Sequence, residues 1–335
     1  MSYKKIVIIF VVIFIIIELL VRIVLFCQGM GFFRKPRFIS PWFTVYDQPP
    51  PLEKNGILTF QKGQKTTVKV LADTIRIICL GGSTTVNAAT KNHYPAVLQE
   101  MLNRHYKNVK FEVLNAGGDA FSSAHSLVNL ALRLTYYNPD CIIVYHNIND
   151  LSVNYFTPEV MTDYSNKYLN NLFLASECKV GMQKYLFGSR FLSFLIMKIN
   201  NVNFNTVAAR RSKELDISTG KEVFRNNLYN IALIAKGHKI RVIFGLQAAC
   251  FKKTERFPYI KSEDFLAYND VVRDVASEFD IPVVDAFSYL GQREQFFNDL
   301  VHYTESGVNK VSEAFFGVII KMYPDVPKRQ AKVDE

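Results

Sequence analysis

Short apolar runs alternate with amphipathic stretches along this chain from about residue 74 to residue 322. Runs of Ile, Val, Leu and Phe are typical of buried parallel strands, and they predict strands at 75–80, 111–114, 141–145, 241–244 and 282–284. The stretches between and after them favour helices at 95–106, 124–137, 223–236, 265–279 and 307–322. This alternation predicts a parallel sheet with helices on both faces.

A much longer apolar run, residues 6–26, lies near the N-terminus. Its length is sufficient to cross the core of a bilayer, which takes roughly 20 residues. Glu18 and Arg22 interrupt the run, but they are four positions apart and can pair on one helix. No small-x-small cleavage site follows, and Phe26 before Cys27 is unsuited to a lipoprotein-type site. We therefore predict an uncleaved, single-pass membrane anchor rather than a signal peptide.

The segments outside the strand–helix alternation divide the chain further. Prolines at 36, 41 and 49–51 resist regular structure, so a connecting arm is expected after the anchor. A stretch rich in Tyr, Asn and Phe interrupts the alternation and is predicted to be an insertion, which either shapes a substrate pocket or is purely structural. The predicted divisions are an anchor at 1–27, an arm at 28–73, an α/β domain at 74–325 with an insertion at 151–218, and a charged tail at 326–335.

Composition narrows the classes of partner. The formal net charge of +10 favours contact with anionic surfaces, either phospholipid headgroups or acidic glycans. Nucleic acid is not an expected partner, because no basic stripe is interleaved with aromatic residues. The five cysteines form no CxxC pair or metal-ligand cluster, so no metal site is predicted. Cys79 and Cys141 are expected in the core, while a disulfide between Cys178 and Cys250 is left open by the sequence.

Four short polar blocks lie beside the predicted strands and the last helix. In chain order they are 81–84 (Gly-Gly-Ser-Thr), 115–120 (Asn-Ala-Gly-Gly-Asp-Ala), 147–150 (Asn-Ile-Asn-Asp) and 299–302 (Asp-Leu-Val-His). A parallel sheet brings the carboxyl ends of its strands to one edge, so the blocks are expected to meet there. A serine after a buried strand, with Asp-x-x-His downstream, is the layout of a serine esterase. The nucleophile needs a base, and the base needs an orienting carboxylate.

This ordered set resembles the SGNH hydrolases, also called the GDSL esterase/lipase family, over about residues 74–322. The resemblance implies an α/β fold, a flavodoxin-like three-layer sandwich with a parallel sheet. It also implies acyl transfer through a covalent intermediate, with no metal or organic cofactor. The roles it assigns are Ser83 as nucleophile, His302 as base and Asp299 as orienting carboxylate.

The resemblance further implies an oxyanion hole. Its expected donors are the N–H of Ser83, the backbone N–H of Ala120 and the side-chain amide of Asn149, with Gly117 and Gly118 as alternatives to Ala120. Losing one such donor costs about 10²–10³ in rate.

Three positions depart from the family's usual residues. Gly82 stands where Asp is typical, and Ala120 and Asn147 stand where Gly is typical. A backbone N–H can serve from alanine provided that its backbone conformation is allowed. The polar residues nearby are interpreted as non-catalytic: His125 and His146 as structural or substrate-lining, Asp119 and Asp150 as turn and helix-cap residues.

We therefore predict a membrane-anchored serine esterase that removes O-acyl groups from an extracytoplasmic glycan or lipid. Lys and Arg residues flank both ends of the apolar run, so the extracytoplasmic placement rests on the resemblance and not on charge. One alternative is an SGNH-type O-acyltransferase that modifies a cell-envelope polysaccharide with a separate membrane acyltransferase partner. The other is a catalytically inactive binding module, which the altered oxyanion positions leave open.

Overall fold

The computed structural model divides the chain into two compact units, residues 1–40 with 166–212 and residues 41–165 with 213–335. It describes residues 2–27, 52–54, 57–60, 64–67, 70–87, 90–156, 160–162, 164, 191, 216–255, 257–324 and 326. Most of the predicted arm and insertion, the tail after residue 326, and Cys178 lie outside these residues.

The first unit contains helix α1, Tyr3–Cys27. Its segment Tyr3–Val24 has a mean hydropathy of 3.2 and is long and apolar enough to cross a membrane, by length and composition. The two charged side chains within it pair as expected, with Arg22 Nε donating to Glu18 at 2.8 Å. Glu18 also accepts the backbone N–H of Phe191 at 2.8 Å, so its carboxylate has partners on its own helix and beyond it.

The second unit is built around a five-stranded parallel sheet in the order β5-β4-β6-β7-β8. Its strands are β4 (Thr74–Gly81), β5 (Lys110–Asn115), β6 (Cys141–Tyr145), β7 (Arg241–Leu246) and β8 (Val283–Asp285). From β4 the chain first adds β5 on one side and then adds β6, β7 and β8 on the other side, which is the flavodoxin-like strand order. The predicted α/β fold with a parallel sheet is confirmed.

Helices cover both faces of this sheet. They are α2 (Ser83–Val86), α3 (Tyr94–His105), α4 (Ser123–Leu132), α5 (Ile148–Phe156), α6 (Ser218–Gly237), α7 (Ser262–Glu278), α8 (Ala286–Leu290) and α9 (Glu305–Met322). Strand residues alternate between two apolar cores: Ile77 and Cys79 pack with α3 and α9, whereas Ile78 and Leu80 pack with α4, α6 and α7. The first residues of the predicted insertion, 151–156, continue α5.

Part of the predicted arm forms regular structure that the sequence analysis did not foresee. Strands β1 (Leu52–Lys54), β2 (Ile57–Thr59) and β3 (Lys65–Thr67) make an antiparallel sheet. Arg76, in β4 and 1% exposed, donates to Thr66 Oγ1 and to the Thr67 carbonyl at 2.8 Å each and pairs with Glu112 at 2.6 Å. Gln64 contacts the edge strand β5 through both atoms of its side-chain amide. These contacts attach the small sheet to the α/β unit.

Cys79, Cys141 and Cys250 are free thiols. Cys79 and Cys141 are buried in β4 and β6, as expected for small core residues. Burial raises the pKa of both thiols well above its usual value, so they stay neutral. Cys250 is a buried free thiol, and the partner that the sequence left open for it, Cys178, is outside the described residues.

Candidate active site

The first polar block forms a tight turn at the carboxyl end of β4. The strand ends at Gly81, and Ser83 is the first residue of α2. A Cβ atom at position 81 would lie 2.0 Å from Thr85 Oγ1 and 2.9 Å from the Tyr145 carbonyl oxygen. Glycine is therefore required at 81 for the turn to approach β6, and this approach places Ser83 at the edge of the sheet.

The last polar block brings a histidine and a carboxylate to the same edge. His302 Nε2 lies 2.9 Å from Ser83 Oγ. On the other side of the ring, His302 Nδ1 lies 2.8 Å from Asp299 Oδ2 and 2.9 Å from Oδ1. The structure thus brings the three residues predicted as nucleophile, base and orienting carboxylate into one continuous hydrogen-bonded chain.

The electrostatics of Asp299 set the tautomer of the histidine. Burial opposes ionisation of Asp299, but hydrogen bonds and charge from His302 and the backbone N–H groups of His302 and Val301 outweigh it and lower the pKa to about 2. The carboxylate is therefore ionised at neutral pH and accepts the Nδ1–H of the ring. That leaves Nε2 as the acceptor for the Ser83 hydroxyl proton, which is the protonation pattern a general base requires.

The loop that carries these residues is fixed by backbone contacts. Cys250 N–H donates to the Leu300 carbonyl at 2.8 Å, and Asn298 N–H donates to the His302 carbonyl at 2.7 Å. The ring of Phe257 lies 6.3 Å from the His302 ring, centroid to centroid, at an interplanar angle of 32°. The histidine is thus held by its own loop and flanked by an aromatic side chain.

Two candidate N–H groups of the second polar block donate to other atoms of the protein. Gly117 N–H donates to Asn115 Oδ1 at 3.0 Å, and Gly118 N–H donates to the Gly81 carbonyl at 3.1 Å. Ala120 has φ of 60°, in the left-handed region that glycine adopts at least cost. Glycine, which the resemblance leads one to expect here, would adopt this conformation at less cost than alanine.

The third polar block contributes an amide beside the nucleophile. Asn149 Nδ2 donates to the Phe121 carbonyl at 2.9 Å, and the same nitrogen is 2.3 Å from where a Cβ of residue 82 would lie. Asn147 lies deeper: its amide donates at 2.8 Å each to the Phe265 carbonyl and to Asn269 Oδ1. Of the two asparagines in the block, Asn149 is the one beside Ser83.

A second serine, histidine and aspartate come together nearby, but they are inaccessible. Ser126 Oγ lies 2.7 Å from His146 Nε2, and His146 Nδ1 lies 3.9 Å from Asp150 Oδ2. The side chains of His146 and Asp150 are 1% and 0% exposed, against 16% and 12% for His302 and Asp299. Of these two sets, the one at the sheet edge is the one that a substrate can reach, so the burial of His146 favours the structural over the substrate-lining interpretation.

Asp150 does more than the helix-cap role that the sequence suggested. Its carboxylate accepts the Ser123 N–H at 3.0 and 3.1 Å and the Ser123 hydroxyl at 2.5 Å. This ties the start of α4 to the start of α5, and hence the second polar block to Asn149. His125 lies at the same junction: its Nδ1 is 3.0 Å from Ser122 Oγ and its ring stacks on Phe121.

Gln247 was not singled out by the sequence analysis, yet it connects two of the blocks. Its Nε2 donates to Thr84 Oγ1 at 3.1 Å, and its Oε1 accepts the Ile148 N–H at 2.8 Å. The side chain is buried at the end of β7. The sequence signal that could have pointed to Gln247 is its position as a polar residue directly after an apolar strand. Its partners could not be inferred from the sequence, because they are more than 90 positions away.

A family comparison agrees with this geometry. The model of the GDSL-like Lipase/Acylhydrolase family matches residues 79–309, which include all four polar blocks. The chain therefore belongs to this family of acylhydrolases. Within the residues that the structure describes, no group of three or more His, Cys, Asp or Glu side chains is arranged to hold a metal ion.

The chain also matches solved structures that share little of its sequence. A lipase/acylhydrolase from Enterococcus faecalis is 15% identical, with 77% of this chain and all of that chain covered and a TM-score of 0.48. An acetylxylan esterase from Geobacillus stearothermophilus is 14% identical, with 74% and 96% covered and a TM-score of 0.48. Another acetyl xylan esterase is 14% identical, with 73% and 100% covered and a TM-score of 0.47. No curated protein matches the chain.

Proposed function

We propose that this chain is a membrane-anchored serine esterase that removes O-acyl groups from an extracytoplasmic glycan or lipid. The observation that carries the proposal is the hydrogen-bonded chain from Ser83 through His302 to Asp299. The apolar helix α1 and the net charge of +10 support an anchored enzyme with a substrate at an anionic surface.

The proposed reaction has two acyl-transfer steps. His302 Nε2 takes the hydroxyl proton as Ser83 Oγ attacks the ester carbonyl, and the imidazolium is stabilised by Asp299. His302 then gives that proton to the departing alcohol, which leaves Ser83 acylated. In the second step His302 deprotonates water, the water oxygen attacks the acyl carbon, and the carboxylic acid is released as Ser83 recovers its proton.

The proposed oxyanion hole comprises the Ser83 N–H, the Ala120 N–H and the Asn149 amide. Gly117 and Gly118, whose N–H groups donate to Asn115 Oδ1 and to the Gly81 carbonyl, stay the alternatives to Ala120 as the donor of the second block. Asn149 uses one N–H of its amide to bind the Phe121 carbonyl, and the second N–H of the same group is the one assigned to the oxyanion.

A fluorophosphonate probe tests the nucleophile. The full-length chain is purified in a glycoside detergent, which contains no ester, and treated with the probe alongside Ser83→Ala. We expect labelling of the wild type that is lost in the variant. A folded wild type that takes up no label and hydrolyses no p-nitrophenyl acetate would refute the esterase and favour a binding module.

The substrate class needs a separate assay. Release of the carboxylic acid is measured, as acetate from O-acetylated glycans and as fatty acid from acyl lipids, with p-nitrophenyl acetate as the positive control. Turnover of the simple ester without acid release from either class would contradict the proposed substrate. Movement of the acyl group to an added glycan hydroxyl in place of water would identify the acyltransferase alternative.

A further inference from the structure

The residue before the nucleophile, Gly82, departs from the family's usual Asp, and the structure gives this departure a steric reason. Gly82 has φ of −91° and ψ of −151°, an extended conformation, so its backbone does not itself demand glycine. A Cβ at this position would lie 2.3 Å from Asn149 Nδ2 and 3.1 Å from the Phe121 carbonyl oxygen. The space that a side chain would take is thus occupied by the Asn149 amide.

The Asn149 amide has little room to adjust in place. Its nitrogen is already at hydrogen-bonding distance, 2.9 Å, from the Phe121 carbonyl. The helix that carries Asn149 is tied to α4 by Asp150, whose carboxylate accepts two hydrogen bonds from Ser123. A new side chain at 82 would therefore force the amide to rotate away from Phe121 rather than shift the two helices.

We propose that Gly82 is a positioning residue for the oxyanion hole, which rests on the esterase function proposed above. The absence of a side chain at 82 lets the Asn149 amide lie against the backbone next to Ser83, where it serves the oxyanion. In this chain the residue typical of the family is unfavourable. An Asp at 82 would occupy the space of the amide, and its carboxylate would compete for the amide N–H.

The collision is of a kind that the fold can survive. The nearest atom to a Cβ at 82 is the end of a side chain, which can turn to another rotamer, while the Phe121 carbonyl oxygen at 3.1 Å needs to shift by only a few tenths of an ångström. At Gly81, by contrast, a Cβ would lie 2.9 Å from the Tyr145 carbonyl, which is backbone and cannot move aside. Gly82→Ala should therefore fold and lose activity, whereas Gly81→Ala should lose stability.

A double-mutant cycle tests the proposal with p-nitrophenyl acetate and the full-length chain in glycoside detergent. Gly82→Ala is expected to lower kcat by about 10², the effect of losing one oxyanion donor, with KM changed less than about threefold. Gly82→Asp is expected to lower kcat at least as much. In the Asn149→Ala background, Gly82→Ala should change kcat by less than about threefold, because the amide it displaces is already gone. Gly317→Ala is the matched control, since no atom lies within 4 Å of a Cβ there.

Two outcomes would overturn the proposal. The first is kinetic: Gly82→Ala has the kcat of the wild type, or it lowers kcat by the same factor in the Asn149→Ala background as in the wild type. The second is a crystal structure of Gly82→Ala in which the Asn149 amide still donates to the Phe121 carbonyl, a result that does not depend on activity. Failure of the esterase function is separately visible, because then the wild type itself takes up no fluorophosphonate label.

Discussion

The phenolic oxygens of Tyr145 and Tyr303 lie 2.7 Å apart in the core, and Tyr303 directly follows His302 in the sequence. The Tyr145 oxygen also accepts the Ala248 N–H at 3.0 Å. Burial raises the pKa of Tyr145 to about 12 and that of Tyr303 well above its usual value, so both hydroxyls keep their protons at neutral pH. The pair joins the end of β6 to the chain that follows His302, and it thereby fixes one side of the base.

Tyr145→Phe tests this connection. The change removes the hydroxyl that pairs with Tyr303 and accepts the Ala248 N–H, and the loss of a buried hydrogen-bond partner costs about 1–3 kcal/mol. We expect a lower thermal midpoint and a lower kcat with little change in KM. Tyr136→Phe is the control, because Tyr136 is 77% exposed and should change neither quantity. Equal midpoints for Tyr145→Phe and the wild type would contradict the structural role.

Asp299→Asn tests the orienting carboxylate in two ways. An uncharged amide neither fixes the required tautomer of His302 nor stabilises its imidazolium form, so kcat should fall by about 10⁴. The pKa of Asp299 is about 2 in the folded chain against a reference value of 3.8, so its ionised form stabilises the folded state above about pH 4. This contribution is lost as the pH falls through 2.

The measurement is the thermal midpoint of both proteins between pH 5 and pH 2. The wild type should be the more stable at pH 5, and the difference should shrink steadily toward pH 2. A difference that is constant across this range would mean that the carboxylate contributes nothing through its ionisation.

Ala120→Gly tests whether the left-handed backbone at this position is strained. An alanine in this region costs roughly 1–2 kcal/mol in backbone strain. Glycine removes the strain, but part of this gain is offset because glycine loses more conformational entropy on folding. We expect stability to rise by up to about 1 kcal/mol, roughly 2–4 °C in thermal midpoint, with esterase activity retained because the N–H remains. Ala267→Gly, within α7, is the opposite control and should lower the midpoint. A midpoint that is unchanged or lower in Ala120→Gly would contradict the strain at this position.

Asp150→Asn tests the buried tie between α4 and α5. The amide keeps one acceptor oxygen but turns an NH₂ group toward the Ser123 donors, so a buried donor loses its partner. We expect destabilisation by about 1–3 kcal/mol and a lower kcat, because the two elements of the proposed oxyanion hole are no longer held together. Asp270→Asn is the matched control, since its ion pair with Arg273 is exposed and worth at most about 1 kcal/mol. An unchanged midpoint in Asp150→Asn would show that the tie is dispensable.

The regular elements of the α/β unit could be predicted because their signals are local. Strand β6 has the predicted bounds, 141–145, since all of its residues are apolar and buried. The predicted helix at 124–137 is instead α4 followed by a separate 3₁₀ turn, Leu134–Tyr137. The three-residue strands β1 to β3 were missed because their attachment depends on Arg76 and Gln64, which bind partners that the local pattern does not reveal.

The sequence by itself determined the alternation of strands and helices, the apolar helix α1, and the order of the four polar blocks, because periodicity and composition act over a few residues. Only the tertiary structure decided that His302 meets Ser83 across 219 positions while a second serine, histidine and aspartate stay buried. It also decided that Gly82 accommodates the Asn149 amide. These relationships depend on which side chains the packed sheet brings within a few ångströms, and spacing along the chain does not encode that distance.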